Sequence, residues 1–124
     1  MALAKELMGL GFSSGQASGI GGGYAAITAV GTVQGDAVAV AAGSNVVAGA
    51  DGTVGARLPA CEVGGEVWIF NNSASTLKLW PDVGAAIPVT GTGLGTANSS
   101  YALLTYKTAH CKRVTSTQWL MVVT

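Results

Sequence analysis

The sequence predicts an all-β protein, an antiparallel β-sandwich of jelly-roll type behind a short N-terminal arm that is partly helical. Three observations predict it. From Tyr24 onward apolar residues recur with a period near two, as in Asp36-Ala37-Val38-Ala39-Val40. Clusters of Gly, Asn, Asp and Ser return about every ten residues, the rhythm of short strands in a sandwich or barrel. The stretch 63–81 holds two of the three tryptophans and one of the two phenylalanines, in a chain with 6% aromatics. That concentration places the expected centre of the core there.

Residues 1–23 read as an arm and a Gly-rich tether, and residues 24–124 as the β-domain. From Ala2 to Leu10, Leu3, Leu7 and Leu10 fall at i, i+4 and i+7, one side of a short helix, and Met8 widens the stripe. Gly9 and Gly11 weaken it, and Phe12-Ser13-Ser14-Gly15 ends it. A helix this short is marginal alone in water, so it must dock, on its own domain or on a neighbouring subunit. Gly15 to Gly23 has the composition of a loose coil. It does not match a phosphate-cradling loop, because no strand precedes its glycines and no Lys-Ser/Thr follows.

Within the β-domain, Ala26 to Val30, Asp36 to Ala42 (with Val38 and Val40 on one face) and Val46 to Ala48 read as strands. Gly43-Ser44-Asn45 and Asp51-Gly52 read as turns. Thr53 to Pro59 is extended, because a residue before proline is biased away from helix. Glu66 to Asn71 and Thr76 to Trp80 flank Asn72-Ser73-Ala74-Ser75, the pattern of a β-hairpin that Pro81 ends. A loop rich in Gly and Thr runs from Thr90 to Asn98. Ser99 to Lys107 is one further strand, with Tyr101, Leu103 and Thr105 opposite Leu104 and Tyr106. Ala109 to Val114 is another, and Gln118 to Val123 closes the chain as a buried strand. Trp68, Phe70, Trp80, Tyr106 and Trp119 are expected in the core or at a subunit interface.

A chain of 124 residues is long enough for one domain with a real core. Only 10% of residues are charged, against about 25% on average. Six basic and six acidic side chains cancel, so there is no electrostatic footprint for nucleic acid or an anionic membrane. A bland, neutral surface favours association, and much of it is expected to be covered by copies of itself or by a larger assembly. No export signal and no membrane span are expected.

Chemistry is sparse. Cys61 and Cys111 read as buried free thiols rather than a disulfide, and neither has zinc-site spacing. His110 neighbours Cys111, but adjacent strand residues point to opposite faces. His110 also lacks a nucleophile pattern and reads as a surface or structural residue. Glu62 and Glu66 can approach around a turn, though turn glutamates are usually solvated. Trp68 and Trp80 can stack on a sugar ring or base, with core packing or a subunit interface the simpler role. Lys107, Lys112 and Arg113 form a small basic group. The expectation is a protein that is not an enzyme and uses no cofactor or metal.

The order of short motifs carries a resemblance. They are Gly-Thr-Val-Gln-Gly-Asp-Ala at 31–37, Asn-Val-Val at 45–47 and Gly-Ala-Arg-Leu-Pro-Ala at 55–60. Then come Gly-Gly-Glu-Val-Trp-Ile-Phe-Asn-Asn at 64–72, Leu-Lys-Leu-Trp-Pro at 77–81, Gly-Ala-Ala-Ile at 84–87 and Thr-Gln-Trp at 117–119. Over residues 24–124 the chain resembles the capsid decoration, or cement, proteins of tailed bacteriophages, notably those of cyanophages. Similar domains occur in tail fibres. The Gly- and Thr-rich loop at 90–96 departs from the pattern. The resemblance implies a homotrimeric β-sandwich on the outer surface of the virion capsid, made in the host cytoplasm and clamping capsomers of the major capsid protein. Its arm, through Leu3, Leu7, Met8, Leu10 and Phe12, would contact the capsid. The alternative it leaves open is a tail-fibre or spike domain that binds a host surface glycan.

Overall fold

Among the described residues nine strands form two sheets, and the first six alternate between them. The computed structural model describes residues 23–88 and 93–124. The strands are β1 (Tyr24–Thr28), β2 (Val38–Ala39), β3 (Gly43–Ala48), β4 (Gly55–Arg57), β5 (Glu66–Asn71), β6 (Leu77–Trp80), β7 (Tyr101–Leu103), β8 (Thr108–Arg113) and β9 (Trp119–Val123). One turn of 3₁₀ helix, Gln34–Asp36, lies between β1 and β2. The first sheet has the order β1-β3-β5-β8-β9 and the second β2-β4-β6-β7. The arm residues Leu3, Leu7, Met8, Leu10 and Phe12 lie outside the described residues, as does part of the loop expected at 90–98.

The protein is mostly β, as expected, but the sheets are mixed rather than antiparallel throughout. β1, β3 and β5 run parallel, as do β2, β4 and β6. Only β7, β8 and β9 bring antiparallel pairing. Parallel neighbours need a crossover between them. Here a strand of the opposite sheet supplies it, so the chain forms three stacked two-strand coils. Tyr24 lies beside Ser44, 20 positions on, and Ser44 beside Trp68, 24 positions on. The recurrence of turn signals therefore reports half-coils, each ending in a step to the other sheet.

The stretch 63–81 is not a hairpin. β5 pairs with β3 and β8, and β6 with β4 and β7, so the two strands never pair with each other. The polar connection between them is an arch from one sheet to the other, and Asn71 holds it. Fully buried, Asn71 donates through Nδ2 to the carbonyls of Ser75 at 2.9 Å and of Leu103 and Leu104 at 3.1 Å. The Ser73 hydroxyl accepts from the Ala50 amide at 3.1 Å, and Thr105 Oγ1 donates to the Ser73 carbonyl. An arch leaves Val67 and Ile69 of one sheet facing Leu77 and Leu79 of the other across the core.

Two further expectations change. Gly43-Ser44-Asn45 opens β3 rather than forming a turn. Asn45 is buried there and secures the bend from β2, since Oδ1 accepts from the Ala41 amide at 2.9 Å while Nδ2 donates to the Ala41 carbonyl at 2.8 Å. The strand expected over Ser99–Lys107 stops at Leu103. Tyr106 takes a left-handed conformation, φ 55°, and the chain crosses to β8. The Asp51-Gly52 turn forms as expected, with Asp51 Oδ1 accepting from the Thr53 amide at 2.8 Å and Gly52 at φ 91°.

The core lies between the sheets and is built of Val47, Leu58, Val67, Ile69, Leu77, Leu79, Leu103, Cys111 and Trp119. Its β4–β6 side depends on Gly55, where a Cβ would sit 2.2 Å from the Lys78 carbonyl oxygen. Only glycine permits the two backbones to come so close.

Candidate functional site

Strand alternation gives the five-stranded sheet an outer face opposite its core face. Register sets three rows across it. The middle row is Tyr24, Ser44, Trp68, His110 and Val122. Beside it run Ala26, Val46, Phe70 and Thr108 on one side, and Glu66, Lys112 and Leu120 on the other. Large apolar groups stand in water along this face: Tyr24 is 68% exposed, Trp68 45%, Leu120 47% and Val122 62%. Val46 and Phe70 are half-buried.

Trp68 and His110 anchor the middle of the face. Their rings stack with centroids 3.8 Å apart and planes within 5°. His110 Nε2 lies 3.0 Å from Glu66 Oε1. The carboxylate thus fixes the imidazole edge while the indole fixes its plane. On the other side of Trp68 the row holds only the small Ser44 before Tyr24 is reached. The result is an aromatic platform on a rigid sheet, with one acid, one histidine and Lys112 at its charged corner.

The aromatic residues expected together are dispersed. Trp119 is core: it is fully buried, and its Nε1 donates to Asp82 Oδ1 at 2.8 Å. Trp68 is the platform, not the core, because Val67 and Ile69 take the inward positions of β5. Phe70 follows Trp68 on the outer face, half-buried. Trp80 lies on the outer side of the second sheet beside Arg57, and its buried Nε1 has no hydrogen-bond partner among the described residues. Tyr106 stands 58% exposed at the turn into β8.

The late basic group also divides. Lys107 and Lys112 are exposed, whereas Arg113 is buried. Arg113 Nη1 donates to Asp82 Oδ1 at 2.7 Å, Nε donates to the Thr115 carbonyl at 2.8 Å, and the guanidinium carbon lies 5.1 Å from the centre of the Trp119 ring. This ion pair was not anticipated. Its signal was the alternation Ala109, Cys111, Arg113, which puts the arginine on the inward side of β8.

Both cysteines are free thiols, with Cys111 buried and Cys61 half-buried. Burial pushes the Cys111 thiol up to about 12. Desolvation also raises that of Cys61, against the nearby Arg113. Neither favours the thiolate that nucleophilic chemistry needs. Glu62 is exposed in the turn before β5, and Glu66, exposed at the first position of β5, engages His110. Among the described residues no group of three His, Cys, Asp or Glu is placed to hold a metal ion. No described helix is long and apolar enough to cross a membrane.

Comparison with protein-family models, with curated proteins and with solved structures finds no match to this chain. The outer face of the five-stranded sheet is therefore the feature from which function is argued.

Proposed function

We propose that this chain is a structural virion protein, a decoration protein that stabilises a tailed-phage head by binding between capsomers of the major capsid protein. The observation that carries the reading is the exposed row Tyr24, Trp68 and Val122 with Leu120 beside it, on the outer face of the five-stranded sheet. Apolar side chains held in water on a rigid surface favour a partner that covers them. The ordered motifs between residues 31 and 119 and the low charge support the same reading. Such a protein acts from the outer surface of the capsid, as a homotrimer, with a partly helical arm adding Leu3, Leu7, Met8, Leu10 and Phe12 to the contact. A stable interface buries about 1,600 Å² in total, and many symmetric copies multiply modest contacts. No reaction, cofactor or metal enters the proposal.

The test is cosedimentation of the purified chain with empty heads that lack it, followed by heating. The proposal expects saturable attachment and a raised temperature of head disruption. Failure to attach at micromolar concentration would overturn it.

A second reading has its own observation. The Trp68 ring, 45% exposed and stiffened by His110, is a platform of the kind that stacks on a sugar ring. In that reading the chain is a tail-fibre or spike domain binding a host surface glycan. Glycan-array binding without head attachment would favour it.

A further inference from the structure

We propose that residues 1–22, which lie outside the described residues, dock in cis across the outer face of the five-stranded sheet and shield it in the free protein. This goes beyond the decoration role and stands without it.

Gly23 precedes Tyr24, the first residue of β1, and β1 is an edge strand of this sheet. Tyr24 itself stands on the outer face, 68% exposed. The preceding segment therefore enters at the rim of the apolar face.

Between Phe12 and Tyr24 the sequence is Ser-Ser-Gly-Gln-Ala-Ser-Gly-Ile-Gly-Gly-Gly. Eleven residues of Gly- and Ser-rich composition have a random-coil span of about 18 Å. The four strand spacings from β1 to β9 amount to about 19 Å. Phe12 and the leucines before it can thus settle on any strand of the face.

The segment supplies Leu3, Leu7, Met8, Leu10 and Phe12, and its adjacent Lys5 and Glu6 can meet Glu66 and Lys112 at the charged corner. The outer side of the second sheet is a poorer match, since it carries Lys78 and Arg57 beside Trp80.

The area of the face favours a tethered segment over a second copy. Five strands of about five residues give a footprint of roughly 400 Å². Two such faces together bury well under the ~1,200 Å² of a stable interface. A tethered segment works at millimolar effective concentration and does not need that area.

The experiment is nuclear Overhauser spectroscopy on the full chain, with leucine and valine methyls labelled, run alone and as an equal mixture of labelled and unlabelled protein. The expected result is contact from the Leu7 and Leu10 methyls to the Trp68 indole and the Val122 methyls, all within one chain. Leu7→Asp with Leu10→Asp should abolish these contacts and raise acrylamide quenching of the indole fluorescence at least twofold. Contacts only between labelled and unlabelled copies would overturn docking in cis. So would Trp68-to-Trp68 contacts between copies, or no contact from the arm methyls at all. The wild-type contacts decide the matter even if the double variant fails to fold.

Discussion

The imidazole of His110 lies flat on the indole of Trp68, 3.8 Å between centroids, with its Nε2 3.0 Å from the Glu66 carboxylate. The pair joins β5 to β8 on the solvent side, where cross-strand contacts otherwise contribute little. An aromatic cross-strand pair is worth about 0.5–1 kcal/mol. His110→Ala is therefore expected to lower stability by about that much in urea unfolding. It should also broaden the Trp68 indole signal in NMR spectra, because the ring loses its brace. A His110→Ala protein with unchanged stability and an unchanged Trp68 signal would show the stack to be incidental.

Asn71→Ala should be far more costly. The amide is fully buried and serves three carbonyls at the arch between the sheets. Leaving buried carbonyls without donors costs about 1–3 kcal/mol each, less whatever water restores. A total loss of about 2–4 kcal/mol is expected, read as a fall in the denaturant midpoint.

Asp82→Ala removes the acceptor shared by Arg113 and Trp119. Breaking a buried ion pair from one side costs about 3–5 kcal/mol, because the remaining charge is uncompensated. Asp82→Ala with Arg113→Met is expected to recover part of that loss. The double-mutant cycle is the check.

The Cys111 thiol gives stability a dependence on pH. Burial lifts it from 9.0 to about 12 in the folded chain. Between those values the unfolded chain has lost the proton and the folded chain has kept it. Stability therefore falls as pH rises through this window, by up to about 1.4 kcal/mol per pH unit. Cys111→Ala should flatten that limb of the stability profile. In the folded protein at pH 8, alkylation should reach Cys61 first and Cys111 only on unfolding.

The sequence makes the alternation of β5 plain, since Val67 and Ile69 must share a face that Trp68 and Phe70 do not. It does not reveal the partner strands. Val67 and Ile69 followed by Leu77 and Leu79 is the same pattern whether the strands pair in one sheet or face each other across a core. The clue to an arch was Asn71, a polar residue in phase with the inward positions, where a hairpin would expose it or pair it. Trp68 was drawn toward the core by its size, although its phase is outward. Trp119 is buried, but the closing strand expected to be buried exposes Leu120 and Val122, because an apolar pattern on both faces does not say which face turns inward. The Arg113–Asp82 pair spans 31 positions, and no local pattern joins residues so far apart. For the arm, the leucine spacing at Leu3, Leu7 and Leu10 remains the sequence's own statement.

The central claim is that this protein works through the outer face of its five-stranded sheet. The most direct measurement is attachment of the Trp68→Ser, Val122→Lys double variant to empty heads, beside the unaltered chain. Both side chains are exposed, so the variant should fold with a melting temperature within a few degrees of the parent. The account predicts at least a tenfold loss of affinity, about 1.4 kcal/mol or more. A folded variant that attaches as tightly as the parent would contradict it.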